Sequence, residues 1–153
     1  MFVSKKVKVS SNGKGKALYV IDDIPQGECI LEFSREYVNS PSRYTLRIDE
    51  DKHLINANPE AEENFINHSC EPNACIDFEE LSLKSMRPIK SGEEITYHYL
   101  TADWDNEDSF TCRCGSPNCL HNIKGFKHLS PKDRKKIFHL VSPFIRKKSL
   151  EKL

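Results

Sequence analysis

The chain has little of what marks a secreted or membrane-bound protein. Its 153 residues include one tryptophan, two methionines and six glycines, and aromatic side chains make up 9%. No apolar run approaches the roughly 18 residues that a bilayer-spanning helix needs, so no membrane segment is expected. The opening MFVSKKVKVS carries charge without an apolar stretch behind it, so no secretory signal is expected either. The six cysteines are then expected in a reducing intracellular compartment, cytoplasm or nucleus, where clustered thiols bind metal or react more often than they form disulfides. Net charge is also missing, because 23 basic residues balance 23 acidic ones. That balance is a cancellation. Residues 49–108 carry 16 acidic and 4 basic side chains, a net −12, and residues 124–153 carry 2 and 10, a net +8. An acidic middle attracts cationic ligands at long range. A basic tail is either a solvated face or suits phosphate and acidic surfaces.

What is present fits one domain with a sizeable core. Residues 2–9 (FVSKKVKV) and Ala17 to Ile21 have the character of strands on either side of a turn at Ser11 to Gly15. Tyr44 to Ile48 alternates, and the acidic turn Asp49 to Asp51 leads into His53-Leu54-Ile55. Ala74 to Phe78 and Leu81 to Met86 read as a hairpin across Glu79-Glu80, and Ile95, Tyr97 and Tyr99 as one face of a further strand. IPQGECI (24–30) and IKSGEEI (89–95) share a pattern and read as two similar turns rather than a duplication. Strands this short indicate a mostly β, α+β domain. Only the end reads as helical. Ser130-Pro131-Lys132-Asp133 offers a cap, a proline for the first position and an acid for the first turn. Ile137, Leu140, Val141, Phe144 and Ile145 follow at helical spacing, and Ser142-Pro143 interrupts and restarts the helix.

Two stretches carry chemistry. CRCGSPNC places Cys112, Cys114 and Cys119 within eight residues around a Gly-Ser-Pro turn. Three thiolates so close suit a tetrahedral zinc and leave one position for a distant Cys, a His or water. NFINHSCEPNA (64–74) sets Asn67, His68, Ser69 and Cys70 directly after an apolar pair, which makes Cys70 the best distant candidate. Cys29 and Cys75 sit in strand-like apolar settings and read as small core hydrophobes. A Cys70–His68 hydrolytic pair is disfavoured, because residues two apart rarely face each other productively.

GKGKALYVIDDIPQGECI (13–30), NFINHSCEPNA, GEEITYHY (92–99) and the cysteine cluster occur in that order, and together they resemble the SET-domain protein-lysine methyltransferases with a post-SET zinc motif. The resemblance implies a fold of small, short-stranded sheets around a knot-like loop. It divides the chain into a SET domain (1–108), a post-SET zinc segment (109–126) and a basic C-terminal helical extension (127–153). It implies transfer of a methyl group from S-adenosyl-L-methionine to a lysine side chain of a histone-like or otherwise basic protein. Lys14, Gly15, Lys16, Asn67, His68 and Ile123 would contact the cofactor. Tyr99 would orient the lysine nitrogen, and Tyr97 would limit the product to mono- or dimethyl-lysine. Cys70 would complete one structural zinc with Cys112, Cys114 and Cys119. Asp103, Asp105, Glu107 and Asp108 would rim the channel for a basic substrate. Trp104 and Phe110 would cover cofactor or peptide, or anchor the link to the cysteines.

A catalytically degenerate SET domain, acting as a zinc-stabilised protein- or nucleic-acid-binding module, is the alternative. Retention of Tyr99, Asn67 and His68 together speaks against it. Nucleic acid is not expected as a substrate, because no aromatic platform accompanies the basic tail.

Overall fold

The computed structural model describes residues 1–151. Among the described residues the fold is mostly β, in five small sheets, with α-helices only towards the end. Strands β1 (Val7–Ser11) and β2 (Lys16–Val20) form an antiparallel hairpin that pairs Val7 with Val20 and Val9 with Leu18. The Asn12 side chain accepts the Lys14 amide at 2.8 Å in the intervening turn. The strand expected over residues 2–9 is thus shorter and later: Val3 makes only an isolated bridge to Leu31, and Phe2 is exposed.

Next come β3 (Cys29–Glu32), β4 (Glu36–Val38), β5 (Leu46–Asp49) and β6 (Lys52–Ile55). Strand β6 lies between β4 and β5 in one three-stranded sheet. After a 3-10 turn at Glu62–Phe65 follow β7 (Asn67–His68), β8 (Ala74–Asp77) and β9 (Ser82–Ser85). β8 and β9 form the expected hairpin, and β9 is flanked by β3, which leaves β8 at the edge. Cys29 and Cys75 both pair with Lys84 on β9 and are half-buried, so neither is the core residue that its apolar neighbours suggest.

The two similar phrases at 24–30 and 89–95 face one another. Ile24 and Ile89 exchange both backbone hydrogen bonds, each at 2.8 Å. Each phrase turns at a glycine with positive φ, Gly27 at 82° and Gly92 at 94°, which lies where a side chain is strained.

Strand β10 (Thr96–Tyr97) is only two residues long. The strand expected to run from Ile95 to Tyr99 stops because His98 caps a 3-10 turn at Tyr99–Thr101. Its ring accepts the Leu100 amide at 3.3 Å, and its carbonyl accepts the Thr101 hydroxyl at 2.7 Å. These bonds compete with continued strand pairing and prevail.

The last strands, β11 (Phe110–Thr111) and β12 (Asn122–Ile123), pair across the cysteine segment. Helix α1 (Pro131–Ile137) starts as expected, with the Ser130 hydroxyl accepting the Asp133 amide at 3.2 Å. The break falls at Ser142. This residue is fully buried, donates its amide to the Thr101 carbonyl at 2.8 Å, and caps α2 (Pro143–Glu151) by accepting the Ile145 amide at 3.1 Å. Ile137, Val141, Phe144 and Ile145 are buried, while Leu140 is only half-buried.

Two cores result. The first gathers Leu18, Ile30, Leu31, Leu54, Leu83, Ile89 and Ile95 from the sheets. The second gathers Leu100, Trp104, Cys112, Ile123 and Phe126 with the buried side chains of the helical end. Gly125 is required in the second core, because its φ is 144° and a Cβ there would collide with the Trp104 carbonyl.

Candidate functional site

The seam between the two cores is where the chemical residues meet. Strands β7 and β10 pair in parallel, Asn67 beside Thr96 and His68 beside Tyr97, and the Ser69 amide reaches the Tyr97 carbonyl at 3.2 Å. Asn73 fastens this pairing. Its side chain donates to the Glu94 carbonyl at 2.8 Å and accepts the Thr96 amide at 3.0 Å, and it is buried. In the sequence Asn73 looks like one more turn residue, and nothing local distinguishes it.

The Asn67 amide group donates to Glu94 Oε2 at 3.1 Å and to the Lys16 carbonyl at 3.5 Å. The Lys14–Lys16 turn is exposed, and Lys16 Nζ pairs with Glu60 at 3.2 Å. Of the expected cofactor residues, Lys16, Asn67 and His68 therefore come together, with Lys14 and Gly15 at the outer end of the same turn. Ile123 presents no surface. It is fully buried in the second core and meets the group only through its strand partner Phe110.

His68 Nδ1 accepts the Tyr99 backbone amide at 3.0 Å, and Nε2 lies 3.4 Å from Cys70 Sγ. Burial, with His98 nearby, pulls the His68 pKa down to about 3, so the ring is neutral at ordinary pH. With Nδ1 accepting, the single ring proton belongs on Nε2, directed at sulfur. Cys70 and His68 thus do face each other, contrary to expectation, because the chain leaves β7 after His68 and bends at Cys70 and Glu71. The pair is not set up for hydrolysis. Nδ1 is occupied, and the sulfur also accepts the Leu120 amide at 3.4 Å and lies 3.9 Å from Cys112 Sγ.

The Tyr99 hydroxyl donates to the Ile66 carbonyl at 2.7 Å. Its ring centroid lies 4.9 Å from that of Tyr97, 5.3 Å from His68 and 6.0 Å from Phe110. Burial raises the pKa of both tyrosines, and Asp103 adds to the effect, so both hydroxyls stay protonated. Asp103 itself is pushed up to about 6 by burial, partly offset by Arg47. It is the one member of the expected acidic rim at this site. Asp105 instead binds His128 at 2.8 Å and Lys127 at 3.7 Å, and Glu107 and Asp108 are exposed. Trp104 packs against Phe126 in the second core, so it anchors the link, whereas Phe110 meets Tyr99 and His68 edge-on.

The sulfurs of Cys70, Cys112, Cys114 and Cys119 all lie within 4.8 Å of one another. A tetrahedral zinc with arms of about 2.3 Å needs sulfurs about 3.8 Å apart, close to the 3.9 Å between Cys70 and Cys112. Backbone N–H groups of Leu120 and His121 point at Cys70 and Cys119, each at 3.4 Å, as suits thiolates. Burial raises the Cys112 thiol to about 11, a cost that a bound dication reverses. His68, Cys70 and His98 form a second close group, but it shares Cys70, and His98 Nδ1 already accepts the Leu100 amide. Four thiolates fit a closed zinc site.

Residues 15–100 match the SET domain. The chain is 30% identical over 131 residues to the histone-lysine N-methyltransferase, H3 lysine-4 specific, of Saccharomyces cerevisiae, covering 71% of this chain and 12% of that protein. It is 31% identical over 126 residues to the human histone-lysine N-methyltransferase EHMT1, covering 67% of this chain and 10% of that one. The crystal structure of KRYPTONITE in complex with mCHG DNA and SAH superposes with a TM-score of 0.65 at 26% identity, over 80% of this chain and 30% of that one.

Proposed function

The chain belongs to the SET-domain family, and on that premise we propose that it transfers a methyl group to the side-chain amine of lysine in a protein substrate. The observation that carries the reading is the pairing of β7 with β10, which sets Asn67 and His68 against a Tyr97–Tyr99–Phe110 aromatic cluster. S-adenosylmethionine, when bound, supplies an electrophilic methyl carbon on a sulfonium sulfur. The Lys14–Gly15–Lys16 backbone, Asn67 and His68 form one wall for it, and Ile123 supports that wall from beneath through Phe110.

The lysine nitrogen must arrive uncharged, since an ammonium has no lone pair. A half-buried aromatic cluster disfavours the ammonium form. Tyr99 then directs the nitrogen, and most of the gain comes from holding nucleophile and methyl carbon in line. Held so by Tyr99, the neutral nitrogen would accept the methyl as its S–C bond breaks, the lysine's spare proton having gone to solvent beforehand. The tyrosines act as protonated hydrogen-bonding groups, because burial keeps them from ionising. Tyr97 occupies room beside the nitrogen, which supports mono- or dimethylation.

The net −12 of residues 49–108 draws a basic substrate, and the names of the relatives make a histone the first to test, with action in the nucleus. The KRYPTONITE complex solved with an H3(1–15) peptide supports the same class. Among the described residues no helix is long and apolar enough to cross a membrane. We divide the chain at 1–108, 109–126 and 127–153, with Cys70 joining the first part to the zinc of the second.

Calorimetric titration with S-adenosylmethionine, alongside transfer of labelled methyl to histone H3, tests the proposal. Micromolar binding lost in His68→Ala is expected, with label on lysine. No binding by the zinc-loaded wild type would sink it.

A further inference from the structure

The stretch GEEITYHY holds two adjacent glutamates, and their surroundings differ. Glu93 is fully engaged: Arg87 binds it at 3.0 Å, and it accepts the Lys90 amide at 2.6 Å. Glu94 is half-buried, and among the described residues it makes no ion pair. We propose that Glu94 is a positioning and specificity residue of the cofactor site, which orients Asn67 and favours the cationic sulfonium cofactor over its neutral thioether product. The proposal rests on the reading of this seam as an S-adenosylmethionine site. The backbone around Glu94 is fixed. The Glu93 carbonyl accepts the Val20 amide at 3.0 Å, the Ile95 amide donates to the Leu18 carbonyl at 2.8 Å, and the Glu94 carbonyl accepts the Asn73 side chain at 2.8 Å. Its side chain therefore leaves a rigid stretch, as a positioning group needs.

The partners of Asn67 fix which way its amide lies. Glu94 Oε2 at 3.1 Å and the Lys16 carbonyl at 3.5 Å are both acceptors, so the NH2 end must face them. The amide oxygen is then left to accept an N–H from a ligand. Glu94 also brings charge. The cofactor and its demethylated product differ by one methyl and one positive charge at sulfur, and a carboxylate beside their common site favours the cation. The cations of this wall are engaged or remote: Lys16 pairs with Glu60 at 3.2 Å, and Lys14 is exposed at the outer end of its turn. Asp103, the other carboxylate of the seam, acts on both tyrosines and is partly offset by Arg47. The charge of Glu94 reaches Tyr99 as well, where it adds to the rise in the hydroxyl pKa. Glu94 thus lies between the cofactor wall and the tyrosine that directs the lysine nitrogen. A half-buried charge there is screened less than the exposed charges around it.

The test is calorimetric titration of the zinc-loaded chain with S-adenosylmethionine and, separately, with S-adenosylhomocysteine. Glu94→Gln keeps a carbonyl oxygen for Asn67 and removes the charge. It is expected to weaken S-adenosylmethionine at least about threefold more than S-adenosylhomocysteine. Glu94→Ala also frees the Asn67 amide, and it is expected to weaken both ligands by at least about threefold. The wild type gives a readout that needs no variant to fold: the carboxyl carbon resonance of Glu94 should shift further with S-adenosylmethionine than with S-adenosylhomocysteine. An unchanged affinity ratio in the folded Glu94→Gln protein, full affinity for both ligands in Glu94→Ala, or equal resonance shifts would overturn the proposal and leave the cofactor site standing. Binding of neither ligand by the wild type would overturn both.

Discussion

The two cores are made of different material. The first is closed by paired strands, and its buried members are aliphatic or aromatic, with no thiol among them. The second has only the two-residue strands β11 and β12 for a ladder, and its apolar residues pack against all four clustered cysteines. Where strands pair, apolar burial and backbone hydrogen bonds suffice. Where loops, 3-10 turns and two short helices meet, the four clustered cysteines are placed to supply cross-links through a bound metal. His68 stands between the two, with Nδ1 on the Tyr99 amide and Nε2 toward the Cys70 sulfur.

The sharpest way to break this contrast is to remove the metal. Chelation is expected to withdraw on the order of 10 kcal/mol of folding free energy from the second core. Amide exchange should then rise across residues 100–145 while β1, β2 and β9 stay protected, and a uniform rise would erase the distinction. Smaller effects come from side chains. Leu83→Ala in the first core should cost about 2–5 kcal/mol and Phe126→Ala in the second about 3–5 kcal/mol in denaturant melts. Only Phe126→Ala should also lower zinc affinity against a competing chelator dye.

At the seam, Tyr99→Phe removes the bond to the Ile66 carbonyl and should cost about 1 kcal/mol. Methyl transfer should fall at least about a hundredfold in that variant, with cofactor affinity nearly intact. Activity equal to the wild type would refute the role given to the hydroxyl.

The subtlest test is of Asp103, whose folded pKa of about 6 lies above its ordinary 3.8. A carboxyl shifted upward destabilises the fold when charged, so wild-type stability should gain as pH falls through 6 towards 3.8. Asp103→Asn should therefore be the more stable protein at pH 7 and lose that advantage on acidification. Melts at fixed ionic strength would show it.

Chemistry was more legible than geometry. The Asn67–Cys70 run and the three nearby cysteines announced themselves by residue type, and the four sulfurs do converge. The helical end was readable because Ser130 and Pro131 obey local rules. What periodicity could not reveal were contacts between distant stretches. Asn73 reads as a turn but fastens β10, the two similar turns are joined by a bridge between Ile24 and Ile89, and alternation carried the Tyr97–Tyr99 strand past a His98 cap. Asp103 and Asp105 are equivalent in sequence, and only packing places one at the tyrosines and the other on His128.

The parallel pairing of β7 with β10 also bears on the order of events during folding. Its partners are 29 residues apart, with the whole β8–β9 hairpin between them, and each contributes only two residues. Closing such a loop costs entropy long before so short a ladder repays it. Hairpins β1–β2 and β8–β9 should form early, and the seam should close as a late, slow step. Pulsed hydrogen labelling should find the Ser69 and Thr96 amides among the last to become protected. Protection there ahead of the hairpins would reverse that sequence.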